Sequence, residues 1–107
     1  MQKREEQSRN EQQLNKNNNE FVLQLFITGV TPNSIRALTN IKKLCEEHLK
    51  ERYNLEIIDV YQQPEIAERE QLIALPMLIK KHPLPQKRII GDMSDTGKVL
   101  KALGLTA

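Results

Sequence analysis

The 107-residue sequence has little that would serve thiol chemistry or an aromatic core: one cysteine, no tryptophan, and aromatic residues at 4% of positions. With Cys45 alone, neither an internal disulfide nor a Cys-x-x-Cys redox pair can form. A core must therefore rest on leucine, isoleucine and valine. No apolar run is long enough to span a membrane or to act as a signal peptide, so we expect a cytoplasmic protein.

Patterns that carry catalysis are also missing. No paired carboxylates, no nucleophile with a neighbouring base, and no glycine-rich phosphate loop stand out. His48 and His82 lie far apart, with no cysteine or carboxylate at the spacing of metal ligands. Cys45 falls on the apolar face of a predicted helix, which favours an inert thiol, whereas a thiol-dependent reductase would need it exposed and acidic. The sequence thus predicts no enzyme, no metal and no cofactor.

Length and charge limit the domain count and the class of partner. The chain fits one domain, and 16 basic against 14 acidic residues give a net charge of +2, too small to indicate a nucleic-acid or membrane partner. Residues 1–20 are polar, with Met1 and Leu14 as their apolar side chains, and predict a disordered or frayed tail. A helix that docks on a partner is the alternative for this tail. The folded domain is expected over 21–107.

The stretch 21–34 organises the rest of the predicted fold. Six of the seven residues from Phe21 to Ile27 are apolar, which is typical of a central strand covered on both faces. Gly29 permits a sharp exit, and Thr31 can cap a helix that begins with Pro32. The corner after a central strand often carries functional groups in α/β folds, but no catalytic group stands out here.

Periodicity and turn residues predict the elements that follow. Apolar spacings of three and four indicate an amphipathic helix over about 34–53. After it come a strand over 55–61, a short helix over 64–72, strands over 74–80 and 87–91, and a last helix. We expect Asp92 or Ser94 to cap that helix and Gly104 to end it. The order β-α-β-α-β-β-α predicts an α/β fold with a mixed four-stranded sheet whose first two strands are parallel.

This order, with a proline at the head of the third strand, resembles the thioredoxin-like fold, and the residues themselves resemble the KaiB family of circadian-clock proteins. The resemblance runs from Phe21 to about Leu103 without evident insertions. The matching residues are Phe21 to Ile27, Thr31-Pro32-Asn33-Ser34, Arg36-Ala37-Leu38, Ile57-Ile58-Asp59-Val60, Pro64, Ala67-Glu68, Ala74, Pro76, Arg88-Ile89-Ile90-Gly91-Asp92 and Lys98-Val99-Leu100.

The resemblance implies a regulatory adaptor. KaiB-like proteins bind the hexameric ATPase KaiC, modulate its phosphorylation and ATPase state, and in the clock capture KaiA. The related sensory domain of the kinase SasA competes for KaiC, and with no kinase after Ala107 this chain resembles a stand-alone KaiB. The family switches folds, and the resemblance allows a homodimer or tetramer. The alternative function is a diverged thioredoxin-like adaptor in a stress response, acting on another partner such as a histidine kinase.

Three departures from the family pattern modify these expectations. Lys101-Ala102-Leu103-Gly104 stands where the family has roughly Ile-Gly-Leu-Asp, and alanine in place of glycine favours the helix by about 1 kcal/mol. We therefore predict a thioredoxin-like ground state. The acidic C-terminal tail of clock members is missing, which weakens the expectation of a tetramer. Asn54-Leu55-Glu56 replaces a typical Ala-Leu-Lys and reverses a charge on the surface implicated in KaiA capture, so KaiA is a doubtful partner.

Seven residues are candidates for binding a KaiC-like ATPase. They are Pro32, Asn33, Arg36, Lys80, Lys81, Lys87 and Arg88. The first three lie at an exposed helix start, although capping alone would explain Pro32 and Asn33. The four cations concentrate positive charge on one hairpin and suit an acidic partner surface, although edge strands also carry lysine to prevent aggregation. Residues assigned to the fold or to its switching are Pro76, Gly91, Asp92, Ala102 and Gly104.

Overall fold

The structure of the chain is a computed structural model that describes residues 20–105. Within that range the elements follow the predicted order β-α-β-α-β-β-α. They are β1 (Phe21–Ile27), α1 (Pro32–His48), β2 (Tyr53–Asp59), α2 (Pro64–Arg69), β3 (Met77–His82), β4 (Lys87–Ile90) and α3 (Thr96–Leu103). The predicted tail, apart from Glu20, and residues 106–107 of the predicted domain lie outside the described residues.

The strands form one mixed sheet in the order β2-β1-β3-β4. β1 pairs in parallel with β2 and antiparallel with β3, so it lies inside the sheet, as its apolar run predicted. β3 and β4 pair antiparallel, with Met77 opposite Ile90 and Lys80 opposite Lys87. The element order and the sheet thus agree with the predicted fold class.

Helices cover the two faces of the sheet unequally. α1 and α3 pack on one face, where Leu25, Ile41 and Leu103 belong to the larger buried cluster. The six-residue α2 packs on the other face, where Ile66 joins a smaller cluster with Phe26. Successive side chains of a strand point to opposite faces, which is why Leu25 and Phe26 fall in different clusters.

Local signals set the limits of α1. Thr31 is the N-cap, its hydroxyl accepting a hydrogen bond from the Ser34 N–H at 3.3 Å, and Pro32 takes the first helical position as predicted. The predicted end near Tyr53 is wrong, because the helix ends at His48. Lys50 adopts a left-handed φ of 51° and donates its N–H to the Cys45 carbonyl at 2.9 Å, which closes the last turn.

The start of α3 corrects a second prediction. Neither Asp92 nor Ser94 caps the helix. Asp95 does so, accepting a hydrogen bond from the Lys98 N–H at 3.1 Å. Asp92 is unavailable because its carboxylate accepts from the Ser94 N–H at 3.0 Å and pairs with Arg36.

The end of α3 agrees with the prediction. Ala102 lies in its last turn, and Gly104 is the C-cap with a left-handed φ of 77°. The Gly104 N–H donates to the Lys101 carbonyl at 3.0 Å. The segment is helical, as expected for the thioredoxin-like state, and the existence of a second fold stays a prediction.

Pro76 and Gly91 meet at one end of the β3–β4 pair. Pro76 is buried, follows a cis peptide bond and directly precedes β3. Its carbonyl accepts a hydrogen bond from the Gly91 N–H at 3.0 Å.

None of the helices between residues 20 and 105 combines the length and apolar character needed to cross a membrane.

Candidate functional site

The corner between β1 and α1 is organised by Ser34, which is fully buried. Its hydroxyl accepts hydrogen bonds from the Thr28 N–H at 3.1 Å and from the Thr31 hydroxyl at 2.9 Å. These bonds fasten the chain leaving β1 to the first turn of α1. Because the hydroxyl's partners are two threonines and not a base, Ser34 is placed to hold the corner and not to act as a nucleophile.

Asp59, the last residue of β2, joins this corner to the next loop. Its Oδ1 accepts from the Gly29 N–H and from the Tyr61 N–H, both at 3.0 Å. Gly29 has a φ of 63°, and a Cβ there would lie 3.3 Å from the Tyr61 ring, so both conformation and space favour glycine. Val30 and Tyr61, the residues next to these two loops' hydrogen bonds, have 85% and 72% of their surfaces exposed.

Arg36, in the first turn of α1, bridges to the loop after β4. Its Nε lies 3.2 Å from Asp92 Oδ2, and its Nη2 donates to Asn33 Oδ1. One turn further along α1, Asn40 donates to the Asp92 carbonyl at 2.9 Å. Hydrogen bonds from Ser94, and then the Arg36 guanidinium, hold the pKa of Asp92 below its ordinary value. Three residues singled out in the sequence are thus brought together.

A cleft of about 310 Å³ opens where the start of α1 meets the loop before β3. Its lining is Thr28, Thr31, Pro32, Asn33, Leu75 and Pro76. None of these side chains is titratable, and none is a thiol. This lining offers no side chain for acid–base chemistry and no thiol nucleophile.

Cys45 lies away from this corner, on the side of α1 that packs against the sheet. The residue is fully buried, and desolvation, followed by the neighbouring Glu46 carboxylate, raises its pKa to about 12. A thiol that stays protonated is a poor nucleophile and a poor metal ligand, in agreement with the predicted inert thiol. Between residues 20 and 105 no three histidine, cysteine or acidic side chains are grouped so as to hold a metal ion.

The cations of the β3–β4 hairpin divide between the two faces of the sheet. On the α2 face, Arg88 Nη2 donates to the Glu70 carbonyl at 2.8 Å, and Lys81 Nζ lies 3.3 Å from the Glu70 carboxylate. These two cations hold the end of α2 and are engaged within the chain. Lys80 and Lys87 stand opposite each other on the other face.

The predicted binding residues therefore form two sets. The corner set is Pro32, Asn33 and Arg36, and the hairpin set is Lys80, Lys81, Lys87 and Arg88. The corner set lies at the end of the sheet where β1 finishes. The hairpin set lies toward the opposite end, because Lys80 pairs with Leu23, whereas Met77 at the start of β3 pairs with Phe26. Three residues of strand separate the two pairings by about 10 Å.

Three residues that lie beside these sets were not singled out from the sequence. Glu70, the counter-ion of Lys81 and Arg88, was interpreted only as part of a short helix. Val30 and Tyr61 were passed over because single exposed apolar residues are common on protein surfaces. Alternation along β3 does carry a usable signal, since a period of two places Lys80 on the face opposite to Lys81.

One protein-family model matches most of the chain. The family model for the KaiB domain matches residues 24–105. The chain belongs to the KaiB family. The matched range contains both the corner set and the hairpin set, and it extends through α3.

KaiB relatives align over most of their own length. The circadian clock protein KaiB3 of Synechocystis sp. is 51% identical over 87 residues, which cover 81% of this chain and 85% of that protein. The circadian clock oscillator protein KaiB of Synechococcus elongatus is 46% identical over 85 residues, covering 79% of this chain and 83% of the relative.

Solved structures place this KaiB-family chain among thioredoxin-like folds. The N-terminal domain of Synechococcus elongatus SasA superposes with a TM-score of 0.66 at 24% identity, covering 81% of this chain and 86% of that domain. The germline thioredoxin Deadhead of Drosophila melanogaster superposes with a TM-score of 0.66 at 13% identity, covering 92% of this chain and 91% of that one. At these identities the likeness concerns the fold, and it confirms the thioredoxin-like prediction.

Proposed function

We infer that this chain is a non-catalytic regulatory adaptor of circadian or stress-response signalling that binds a KaiC-like hexameric ATPase and modulates its phosphorylation or ATPase state. The observation that carries this proposal is the KaiB-domain match over residues 24–105. Relatives named as circadian clock proteins, at 46% to 51% identity over most of their length, support the same conclusion.

The chemistry of the corner supports an adaptor. Where a thioredoxin would present its thiols, this chain has Thr31-Pro32-Asn33-Ser34, and hydroxyl groups cannot carry out thiol–disulfide exchange. The one thiol of the chain, Cys45, is buried with a raised pKa and so is not available for exchange either. Binding, and not bond-breaking, is the role that remains for this surface.

The corner set is the proposed centre of the ATPase-binding face. Asp92 and Asn33 hold the Arg36 guanidinium at the protein surface, so it is presented with little freedom left to lose on binding. Val30 and Tyr61, on the edge fixed by Asp59, add apolar area. Within the hairpin set, Lys87 is the exposed cation that is not engaged with Glu70, so it is the one best placed to meet an acidic surface.

KaiA is not part of the proposal. Glu56, where clock members typically have lysine, is exposed on β2 and accepts a hydrogen bond from Gln24 Nε2 at 3.1 Å. A histidine kinase is the alternative partner. Homo-oligomerisation remains a prediction, as does a slow exchange with a second fold. The binding experiment allows for the slow exchange by long incubation.

Size-exclusion co-elution tests the proposal directly. The chain is incubated for hours with the KaiC-like ATPase of its own organism, in ATP and separately in ADP, and complex formation is compared between the wild type and an Arg36→Ala, Lys87→Glu double variant. We expect co-elution that the double variant weakens strongly. Lys42→Glu, an exposed lysine on the same helix as Arg36, is the matched control and should co-elute as the wild type does.

Two results would redirect the proposal. If no complex forms in either nucleotide after long incubation, the chain has kept the fold and changed its partner, and the kinase becomes the next candidate. If Lys42→Glu abolishes binding as fully as the double variant, the interaction follows overall charge, and the corner set is not its centre.

A further inference from the structure

α2 receives little stability from its own residues. It is six residues long, and a helix of that length is marginal in water by itself. Ile66 is its buried side chain, and within the described chain the side chain of the N-cap residue Gln63 makes no capping hydrogen bond. After the helix, residues 72–76 lie outside helices and strands, and Ile73 has 92% of its surface exposed. Contacts from other elements must therefore hold this segment against the sheet.

Arg88, on the edge strand β4, closes the C-terminal end of α2. Its Nη2 donates to the Glu70 carbonyl at 2.8 Å, and its Nη1 donates to the Gln71 carbonyl at 3.4 Å. The last carbonyls of a helix have no partner within the helix, and the planar guanidinium fork can bind two of them at once. One side chain thus fastens the end of α2 to a strand that comes 18 positions later.

The Glu70 carboxylate adds an electrostatic connection to the hairpin. Its Oε1 lies 3.3 Å from Lys81 Nζ and 3.8 Å from Arg88 Nη2. All three side chains are partly exposed, so water and dissolved salt weaken both ion pairs. Glu70, Lys81 and Arg88 are together called the latch.

The segment from Pro64 to Leu75 covers apolar side chains of the sheet. Beneath it lie Phe26 and Met77, which share the smaller buried cluster with Ile66. Leu75 packs against the same cluster and also lines the cleft at the start of α1. A segment that buries few apolar side chains and is closed by partly exposed contacts opens at a lower free-energy cost than paired strands do.

We propose that residues 64–75 form a hatch that opens and closes over the smaller buried cluster while the strands stay paired, and that the latch sets how often the hatch is open. Opening exposes the apolar surface of Phe26 and Met77 and removes Leu75 from the wall of the cleft. The hatch thus controls whether an apolar part of the sheet is available for binding. Because the strands keep their partners, this motion differs from an exchange with a second fold. The contacts involved lie inside the chain, so the proposal does not rest on the ATPase as a partner.

Residue-resolved hydrogen–deuterium exchange of the full chain, at urea concentrations below the unfolding transition, tests the hatch. The reporters in the hatch are the amides of Glu70 and Leu72, which donate to the Ile66 and Ala67 carbonyls, both at 2.8 Å. The reporters in the sheet are the amides of β1. We expect the hatch amides to be at least about tenfold less protected than those of β1 and to depend less on urea, because opening exposes less surface than unfolding.

Two substitutions separate opening of the hatch from global unfolding. Arg88→Gln breaks contacts that opening also breaks, so it should lower the protection of the hatch amides about tenfold. Ser34→Ala breaks contacts that stay intact when the hatch is open. It should lower the protection of the β1 amides and leave the hatch amides unchanged, since the closed and open forms lose the same amount of stability.

Two further variants test the parts of the latch. Arg88→Lys keeps a charge beside Glu70 but loses the fork that binds two carbonyls, so it should recover only part of the protection lost in Arg88→Gln. Glu70→Gln keeps the carbonyls and removes the ion pairs, so it should lower the protection of the hatch amides about threefold. It should also abolish the loss of hatch protection that we expect for the wild type in concentrated sodium chloride.

Three results would overturn the proposal. Equal urea dependence of the hatch and β1 amides, or an equal loss of protection at both in Ser34→Ala, would show that α2 opens only when the whole protein unfolds. Unchanged protection of the hatch amides in Arg88→Gln would show that the latch does not control the hatch. Lys101→Gln, an exposed lysine on α3, is the matched control for the loss of one positive charge and should leave both sets of amides unchanged. An effect as large as that of Arg88→Gln would likewise contradict the latch.

Discussion

Arg36 Nε lies 3.2 Å from Asp92 Oδ2, and this ion pair joins two residues that are 56 positions apart in the sequence. The contact fastens the first turn of α1 to the loop between β4 and α3. Asn40 adds a bond from α1 to the backbone of the same loop, at 2.9 Å. The two halves of the chain therefore meet at the face proposed for ATPase binding.

Asp92→Asn should lower the free energy of unfolding above about pH 5 and make no difference in strong acid. The folded-state pKa of Asp92 lies below its ordinary value of 3.8, so its charge stabilises the fold above that value, and the contribution disappears as the pH falls through the folded-state pKa. Denaturant unfolding from pH 7 to pH 2 measures the difference. A loss of stability in Asp92→Asn that does not depend on pH would contradict this prediction.

Ser34→Ala should destabilise the fold by about 1–3 kcal/mol, because the Thr28 N–H and the Thr31 hydroxyl lose their shared acceptor in a buried corner. Urea unfolding gives the value. Thr39→Ala, an exposed hydroxyl on the same helix, is the control and should change stability by less than about 0.5 kcal/mol. Equal effects of the two substitutions would show that Ser34 does not hold the corner.

Two glycines of the last helix should respond to alanine in opposite directions. Gly104 has a φ of 77°, a conformation that costs an alanine about 1–2 kcal/mol, so Gly104→Ala should lower the melting temperature. Gly97 lies inside α3, where a Cβ would meet nothing closer than Asp95 Oδ1 at 3.8 Å, so Gly97→Ala should leave stability unchanged or raise it by up to about 1 kcal/mol. Calorimetric scans that rank the two variants the other way would contradict the described end of α3.

Cys45 should be inert in the native state. With its pKa raised to about 12, the thiol should react with a disulfide reagent at pH 8 only as fast as the protein unfolds. Reaction rates measured across urea concentrations give the comparison. Rapid modification without urea would show that the thiol is accessible.

The same raised pKa predicts a loss of stability in base. The folded thiol keeps its proton above the ordinary value of 9.0, whereas the unfolded thiol releases it, so the stabilising contribution of Cys45 is complete below pH 9 and declines as the pH rises toward 12. Cys45→Ala should lack this part of the decline. If the free energy of unfolding fell equally with rising pH in the wild type and in Cys45→Ala, burial of the thiol would be contradicted.

Short-range signals explain how much of the fold could be predicted. The Thr31-Pro32 start of α1 and the Gly104 end of α3 are each set by chemistry within a few residues, so the sequence located them. The end of α1 could not be located in this way. The apolar spacing continues through Leu49 into the turn, and only the left-handed conformation of Lys50 shows where the helix stops.

Long-range contacts explain why the site was only partly predicted. Asp92 and Ser94 were plausible caps by residue type, but Asp92 pairs with a residue in α1 and the cap is Asp95. The hairpin cations were interpreted as one positive surface because Glu70, the counter-ion of Lys81 and Arg88, comes from the C-cap of α2, outside the hairpin. Which cations stay available to a partner depends on sheet register, and register becomes known only when the strands are paired.

Hydrogen–deuterium exchange of the chain, with and without the KaiC-like ATPase of its organism, tests the central claim most directly. The account predicts added protection at residues 28–36 and at 87–95, where the corner set and the end of the hairpin lie. The outer surface of α1, around Lys42 to Glu47, should exchange equally in both samples. Protection of backbone amides confined to that outer surface, or no added protection after long incubation with the ATPase in ATP or in ADP, would contradict the proposed adaptor face.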